Sequence, residues 1–127
     1  MRAAFAASVL CLSLTGTVAA LAPAPAGAVA LSTPEAQFLA KMNDLRASKG
    51  LGALTIDDQL TSVARNWTAH MASQGAISHN PNLGTQVTEN WQKLGENVGE
   101  GPDVNSLWNA FVNSPHHYAN LVDPSFS

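Results

Sequence analysis

The sequence predicts an α+β domain, and three observations predict it. Four stretches carry apolar residues at helical spacing behind helix-start signals. One glycine-rich segment, LGENVGEG at residues 94–101, alternates as a strand does. The remainder between residues 78 and 88, SHNPNLGTQVT, is built of turn formers.

The first helix starts at Ser32-Thr33-Pro34-Glu35. A hydroxyl residue supplies the cap, Pro34 suits the first turn and Glu35 complements the positive end of the helix dipole. Phe38, Leu39, Met42 and Leu45 then form one apolar stripe, and Gly50 ends it. Thr55-Ile56-Asp57-Asp58 caps the second helix, where Leu60, Val63, Ala64, Trp67 and Met71 repeat at helical spacing before Gly75 closes it. In the predicted strand Glu96, Val98 and Glu100 share one face. Gly95, Asn97, Gly99 and Gly101 share the other, a pattern that implies close approach of a neighbouring backbone or ligand. Asp103 caps a third helix with Val104, Leu107, Trp108, Phe111 and Val112 on its apolar face. Ser114-Pro115 starts a short fourth, which Asp123-Pro124 ends.

The 127 residues have room for one domain. Residues 1–30 are predicted to be a secretory signal peptide: Arg2 precedes an Ala/Val/Leu segment, and Ala28-Val29-Ala30 offers a small-x-small cleavage site before Leu31. A membrane anchor is the competing reading. The run from Ala3 to Leu14 is interrupted by Ser and is short of the roughly 20 apolar residues a span requires. Residues 31–127 carry five Lys/Arg against nine Asp/Glu, a charge of −4. No basic patch is available, which argues against nucleic acid and anionic membrane as partners. The single cysteine, Cys11, lies in the leader, so the remaining domain relies on its core without a disulfide.

Of four histidines, His70 reads as a helix-surface or packing residue three positions after Trp67. His79 lies where the second helix gives way to the loop, and His116 and His117 occupy the first turn of the fourth helix. The positive potential there keeps a histidine neutral, the state a metal ligand needs. Two histidines and Glu96 make a divalent-metal set by chemistry, although no HExxH or CxxC pattern is present. The alternative is that Glu96 accepts hydrogen bonds from histidines and backbone amides and ties loop, strand and helix together. Asn97 is expected to bond backbone beside the strand, and Asn120 to tie the fourth helix to the wall of the cleft. The aromatic residues Trp67, Trp91, Trp108, Tyr118 and Phe126 read mainly as core, with Trp91 the most exposed of them.

The ordered segments SHNPNL, GENVG and SPHHYANLV, with MNDLRASKGLGALTIDDQL and ARNWTAHMASQGAISHN before them, resemble the CAP superfamily. That superfamily comprises cysteine-rich secretory proteins, antigen 5 and pathogenesis-related proteins. The resemblance covers Thr33 to Phe126 and is nearest to the short secreted bacterial branch. It implies an α-β-α sandwich with a small antiparallel sheet, residues 31–127 forming the CAP (SCP) domain. It also implies an open cleft lined by two histidines and two acidic residues, which in some members holds a divalent cation such as zinc. Matched residue by residue, the cleft and tentative metal positions are His79, Glu96 and His117. His116 stands where glycine is usual, Tyr118 where arginine is usual, and Phe111 where many members carry the second glutamate. The family pattern continues into two further strands beyond the last residues of this sequence. A chain of residues 31–127 lacking them is expected to be unstable or incomplete at its C-terminal side, an expectation that a cooperative thermal transition of that chain would exclude.

The function implied is a secreted, non-enzymatic module that binds a small ligand, lipid or protein, with metal assistance at the cleft. A metal- or histidine-assisted extracellular hydrolase is the alternative from a different class. A degenerate product without activity is the third. No catalytic residue is assigned, because Ser78 and Ser114 lie beside histidines in sequence only, and Ser114 is explained as a helix cap.

Overall fold

Each sequence-predicted helix forms where its start and stop signals stand. In the computed structural model, which describes residues 2–11 and 30–127 (the former as backbone only), α1 spans Thr33–Ser48 and α2 Asp58–Gln74. The carboxylate of Glu35 accepts the Ser32 amide at 2.6 Å, closing the first turn of α1. Asp57 caps α2 by accepting from the Leu60 amide at 2.8 Å, and Gly75 ends it in the left-handed conformation, φ +61°. A one-turn helix, α3, Leu83–Gln86, interrupts the segment that reads as loop. Asn80 and Asn82 organise it. The Asn80 side chain accepts from the Asn82 amide and donates to Gln86 Oε1, and the Asn82 carbonyl accepts from Thr85 and Gln86.

The glycine-rich segment is a strand, as expected, but a longer one. Two strands are described: β1, Arg2–Cys11, and β2, Trp91–Gly101. They pair in parallel, with Ala6 opposite Glu96 and Val9 opposite Gly99. The small sheet is therefore present, whereas the antiparallel arrangement implied by the family resemblance is replaced, among the described residues, by a parallel pair. A parallel connection needs a long crossover, and α1 to α3 lie between the two strands in sequence. One edge of β2 is thus occupied in the 127-residue chain. The proposed cleavage site and the apolar stretch after Cys11 lie outside the described residues.

Beyond β2, α4 (Val104–Asn113) begins at Asp103, whose side chain accepts from the Ser106 amide at 2.8 Å, and α5 (Pro115–Leu121) follows Ser114. The main core joins α1, α4, α5 and the final residues. Phe38, Met42, Leu54, Val104, Leu107, Phe111, Leu121 and Phe126 are all buried there, and Phe38 meets Trp108 and Phe111 edge to face at 5.4 and 5.6 Å. Leu60, Ala64 and Val87 make a second, smaller cluster under α2 and α3. The glycine face of β2 is packed by α4. A Cβ at Gly99 would lie 2.7 Å from both Leu107 Cδ1 and Phe111 Cε1, and one at Gly101 would lie 3.4 Å from the Leu107 amide nitrogen. The close neighbour anticipated from the sequence is a helix.

Arg46 is the buried polar centre of this half. It is 1% exposed, and its guanidinium donates to the carbonyls of Gly52, Leu121, Asp123 and Phe126 at 2.7–3.2 Å. The fixed fork of donors suits an array of carbonyls on both sides of the chain, so the residue binds the end of α5 and the tail to α1.

Candidate functional site

The site begins with Glu96 in the middle of β2. Its side chain is 7% exposed and would be costly to bury alone. It is satisfied from the loop opposite: Oε2 accepts from His79 Nδ1 at 2.8 Å and from the Asn80 amide at 3.0 Å. A carboxylate only accepts, so Nδ1 carries the proton and the outer nitrogen, Nε2, faces away from Glu96. The His79 side chain is 66% exposed. The tie holds that ring at the end of α2, where the loop would otherwise leave it free.

His117 approaches from α5 and is partly buried. Its Nδ1 lies 2.9 Å from Ser114 Oγ, and its ring stacks on Phe111 at 4.6 Å with planes 21° apart. Burial lowers its pKa below 6.5, and the neighbouring charge of His79 lowers it further. A hydrogen bond at the Val98 backbone acts in the opposite direction, and His116 adds a smaller lowering. The bonds of Glu96 to His79 and Asn80, and of Asn97 to the His117 carbonyl, bring loop, strand and helix to one place. His116 is exposed, and His70 stacks on Trp67 at the surface of α2.

Two asparagines fix the helix to the strand. Asn97, fully buried, donates to the His117 carbonyl at 3.0 Å and accepts from Asn120 Nδ2 at 2.9 Å, and Asn120 also reaches the Glu96 carbonyl at 3.3 Å. Both asparagines thereby set the height of His117 against Glu96. Ser114 was read from sequence as a helix cap. It stands at that position, but its hydroxyl bonds His117 in place of the helix amides.

Phe111 decides the character of the inner wall. Where a second carboxylate would stand, an apolar ring 1% exposed fills the space between Gly99 and His117. Among the described residues, no group of three or more His, Cys, Asp and Glu side chains is arranged to hold a metal ion. Glu96 is bound to the back of His79 instead of sharing an open position with it. The donors as arranged do not fit a three-ligand centre of His79, Glu96 and His117. They fit a carboxylate that orients an imidazole, with a second imidazole held close by.

The sequence model of the cysteine-rich secretory protein family, CAP, matches residues 39–127. The chain belongs to the CAP family. No curated protein and no solved structure matches the chain. The matched CAP segment contains all three anticipated cleft residues and most of α1, and the α+β architecture agrees with it. Members of this family are typically secreted, and no described helix is long and apolar enough to cross a membrane. Sequence reasoning anticipated a histidine and backbone amides as donors to Glu96, as His79 and the Asn80 amide are, but missed the Ser114–His117 contact. Ser114 lies three residues before His117, within reach across one turn, and that spacing was the available signal.

Proposed function

We propose that this CAP domain is a secreted, non-enzymatic binding module. Its cleft receives a small polar ligand, or the polar group of a lipid or protein partner, between His79 and His117. The observation that supports this reading is the Glu96–His79 contact at 2.8 Å, which holds an exposed imidazole in one orientation. Such a pair offers one lone pair or N–H group from each ring, enough to orient a ligand bearing acceptors or donors. A divalent cation such as zinc is a further occupant of this cleft under the proposal, bound by the two imidazoles alone, with Glu96 orienting His79 and not ligating.

Calorimetric titration of the full chain with zinc chloride tests the metal-assisted form. Binding that His79→Ala and His117→Ala each weaken by about tenfold or more would support it. Binding unchanged in both variants would remove zinc from the cleft.

One contact favours the hydrolase reading: Ser114 Oγ and His117 Nδ1 are within hydrogen-bond reach at 2.9 Å. The carboxylate that would orient the base is committed to the other histidine, so the three parts do not form one relay. Ester hydrolysis by the full chain, lost in Ser114→Ala and retained in His79→Ala, would overturn the non-enzymatic proposal.

A further inference from the structure

A second hollow lies away from the histidine cleft and shares no residue with it. It occupies about 330 Å³ between the start of α2 and the entry to β2, within the range of small-molecule sites. Its apolar floor is Leu54, Leu60 and Val87, all buried. Its rim is Ile56, 47% exposed, and Trp91, 40% exposed.

Three features define what such a hollow would accept. Trp91 is exposed but fixed: its Nε1 donates to the Val87 carbonyl at 3.1 Å, and its six-membered ring lies beside Gly84. A rigid indole face is presented with little entropy left to lose on binding. Asp57 and Glu89 both line the hollow, and among the residues whose side chains are described no lysine, arginine or histidine does. Asp57 uses one oxygen to cap α2, whereas the Glu89 carboxylate has no hydrogen bond or ion pair among the described residues. An apolar floor, an aromatic wall and negative charge that no described side chain neutralises together match one ligand chemistry.

We infer that this hollow binds a small organic cation with an apolar body, of the alkylammonium class. The alkyl part lies on Leu60 and Val87, and the ammonium group sits between the Trp91 ring and Glu89. A neutral alcohol of the same length would retain only the apolar part, and an alkyl sulfate would meet the carboxylates unfavourably.

Calorimetric titration of the full chain with hexyltrimethylammonium, below its micelle concentration, tests this, with hexanol and hexyl sulfate as comparison probes. The expected result is saturable binding of the cation alone. Affinity falls about tenfold in Trp91→Ala and about threefold in Glu89→Gln. The exposed Glu89→Gln change leaves the thermal midpoint where it was, which keeps the result interpretable if Trp91→Ala is destabilised. His117→Ala leaves the cation affinity unchanged, so failure of the cleft proposal does not affect this one. Equal binding of cation and sulfate, no saturable binding, or an affinity indifferent to Glu89→Gln would overturn the inference.

Discussion

The half of the molecule built on α1, α4 and α5 and the half built on α2 and α3 are stabilised differently. In the first, eight buried apolar side chains interlock around Phe38 and Phe111, and one buried guanidinium binds the tail. In the second, Leu60, Ala64 and Val87 form the cluster among the residues whose side chains are described, and a hollow of about 330 Å³ opens beside it. The cleft spans the two. His117 belongs to the firm half through Phe111 and Asn97, while His79 stands on the loop leaving α2 and is held by one carboxylate.

Removing the guanidinium should produce the largest effect on that contrast. Arg46→Ala leaves four carbonyls without their donor, those of Leu121 and Phe126 among them buried, and opens a cavity under the tail. A loss of about 3–5 kcal/mol is expected in denaturant unfolding, a large share of the stability of a domain this size. Arg46→Lys should recover only part of it, because an ammonium cannot reach carbonyls on several sides at once. If the firm half depended on its apolar residues alone, the two variants would unfold at the wild-type midpoint.

The strand–helix contact comes next. Gly99→Ala forces a methyl to 2.7 Å from Leu107 and Phe111, and about 1–3 kcal/mol should be lost as those side chains shift. Gly52→Ala, with nothing within 4 Å of the added carbon, should be close to neutral. Thermal unfolding of the pair measures how tightly β2 is clamped on the firm side. Asn97→Ala should cost about 1–2 kcal/mol and move the His117 ring resonances, since it removes the donor to the His117 carbonyl and the acceptor for Asn120.

The firm half was the more legible in the sequence. The apolar stripes of α1 and α4 were regular, the cap at Asp103 formed as read, and the glycine face of β2 announced a close neighbour. Arg46 was not legible, because inside an amphipathic helix a charged residue reads as surface. Its role depends on carbonyls as many as 80 positions away. On the other side, α3 was hidden in turn formers, which stabilise a single helical turn as readily as a loop. Trp91 is exposed because its indole N–H is satisfied at the rim by Val87, a pairing that periodicity does not encode. The family resemblance named His79, Glu96 and His117 as cleft positions, where residue types and spacing alone left a metal set and a hydrogen-bonded tie both open. The direction of each hydrogen bond, and hence Glu96 as an orienting group, required the fold.

The two halves are also joined by an ion pair between α1 and α2, and its contribution can be read from pH. Glu35 accepts from Arg65 Nε and Nη2 at 2.7 and 2.6 Å, and this pairing holds its carboxyl pKa at about 2, below the ordinary 4.5. A carboxyl with a depressed folded pKa contributes stability that is complete above its unfolded value and is lost as pH falls through the folded one. The contribution should therefore be constant above about pH 5 and decline between about 4.5 and 2. Because the Arg65 side chain is 40% exposed, solvent screening limits the net value to about 1 kcal/mol. Arg65→Gln should lower stability by that amount at neutral pH and make its loss between pH 4.5 and 2 shallower than in the parent. His117 acts in a separate window. Its lowered pKa means that stability begins to fall once pH drops below about 6.5, because the unfolded chain takes up the proton first. A stability curve measured from pH 8 to 2 should thus show two declines, the upper assigned to His117 and the lower shared by Glu35 and by Asp123, whose carboxyl the Lys93 ammonium likewise holds at about 2. Persistence of the lower decline at full size in Arg65→Gln would mean that the α1–α2 pair does not couple the two halves.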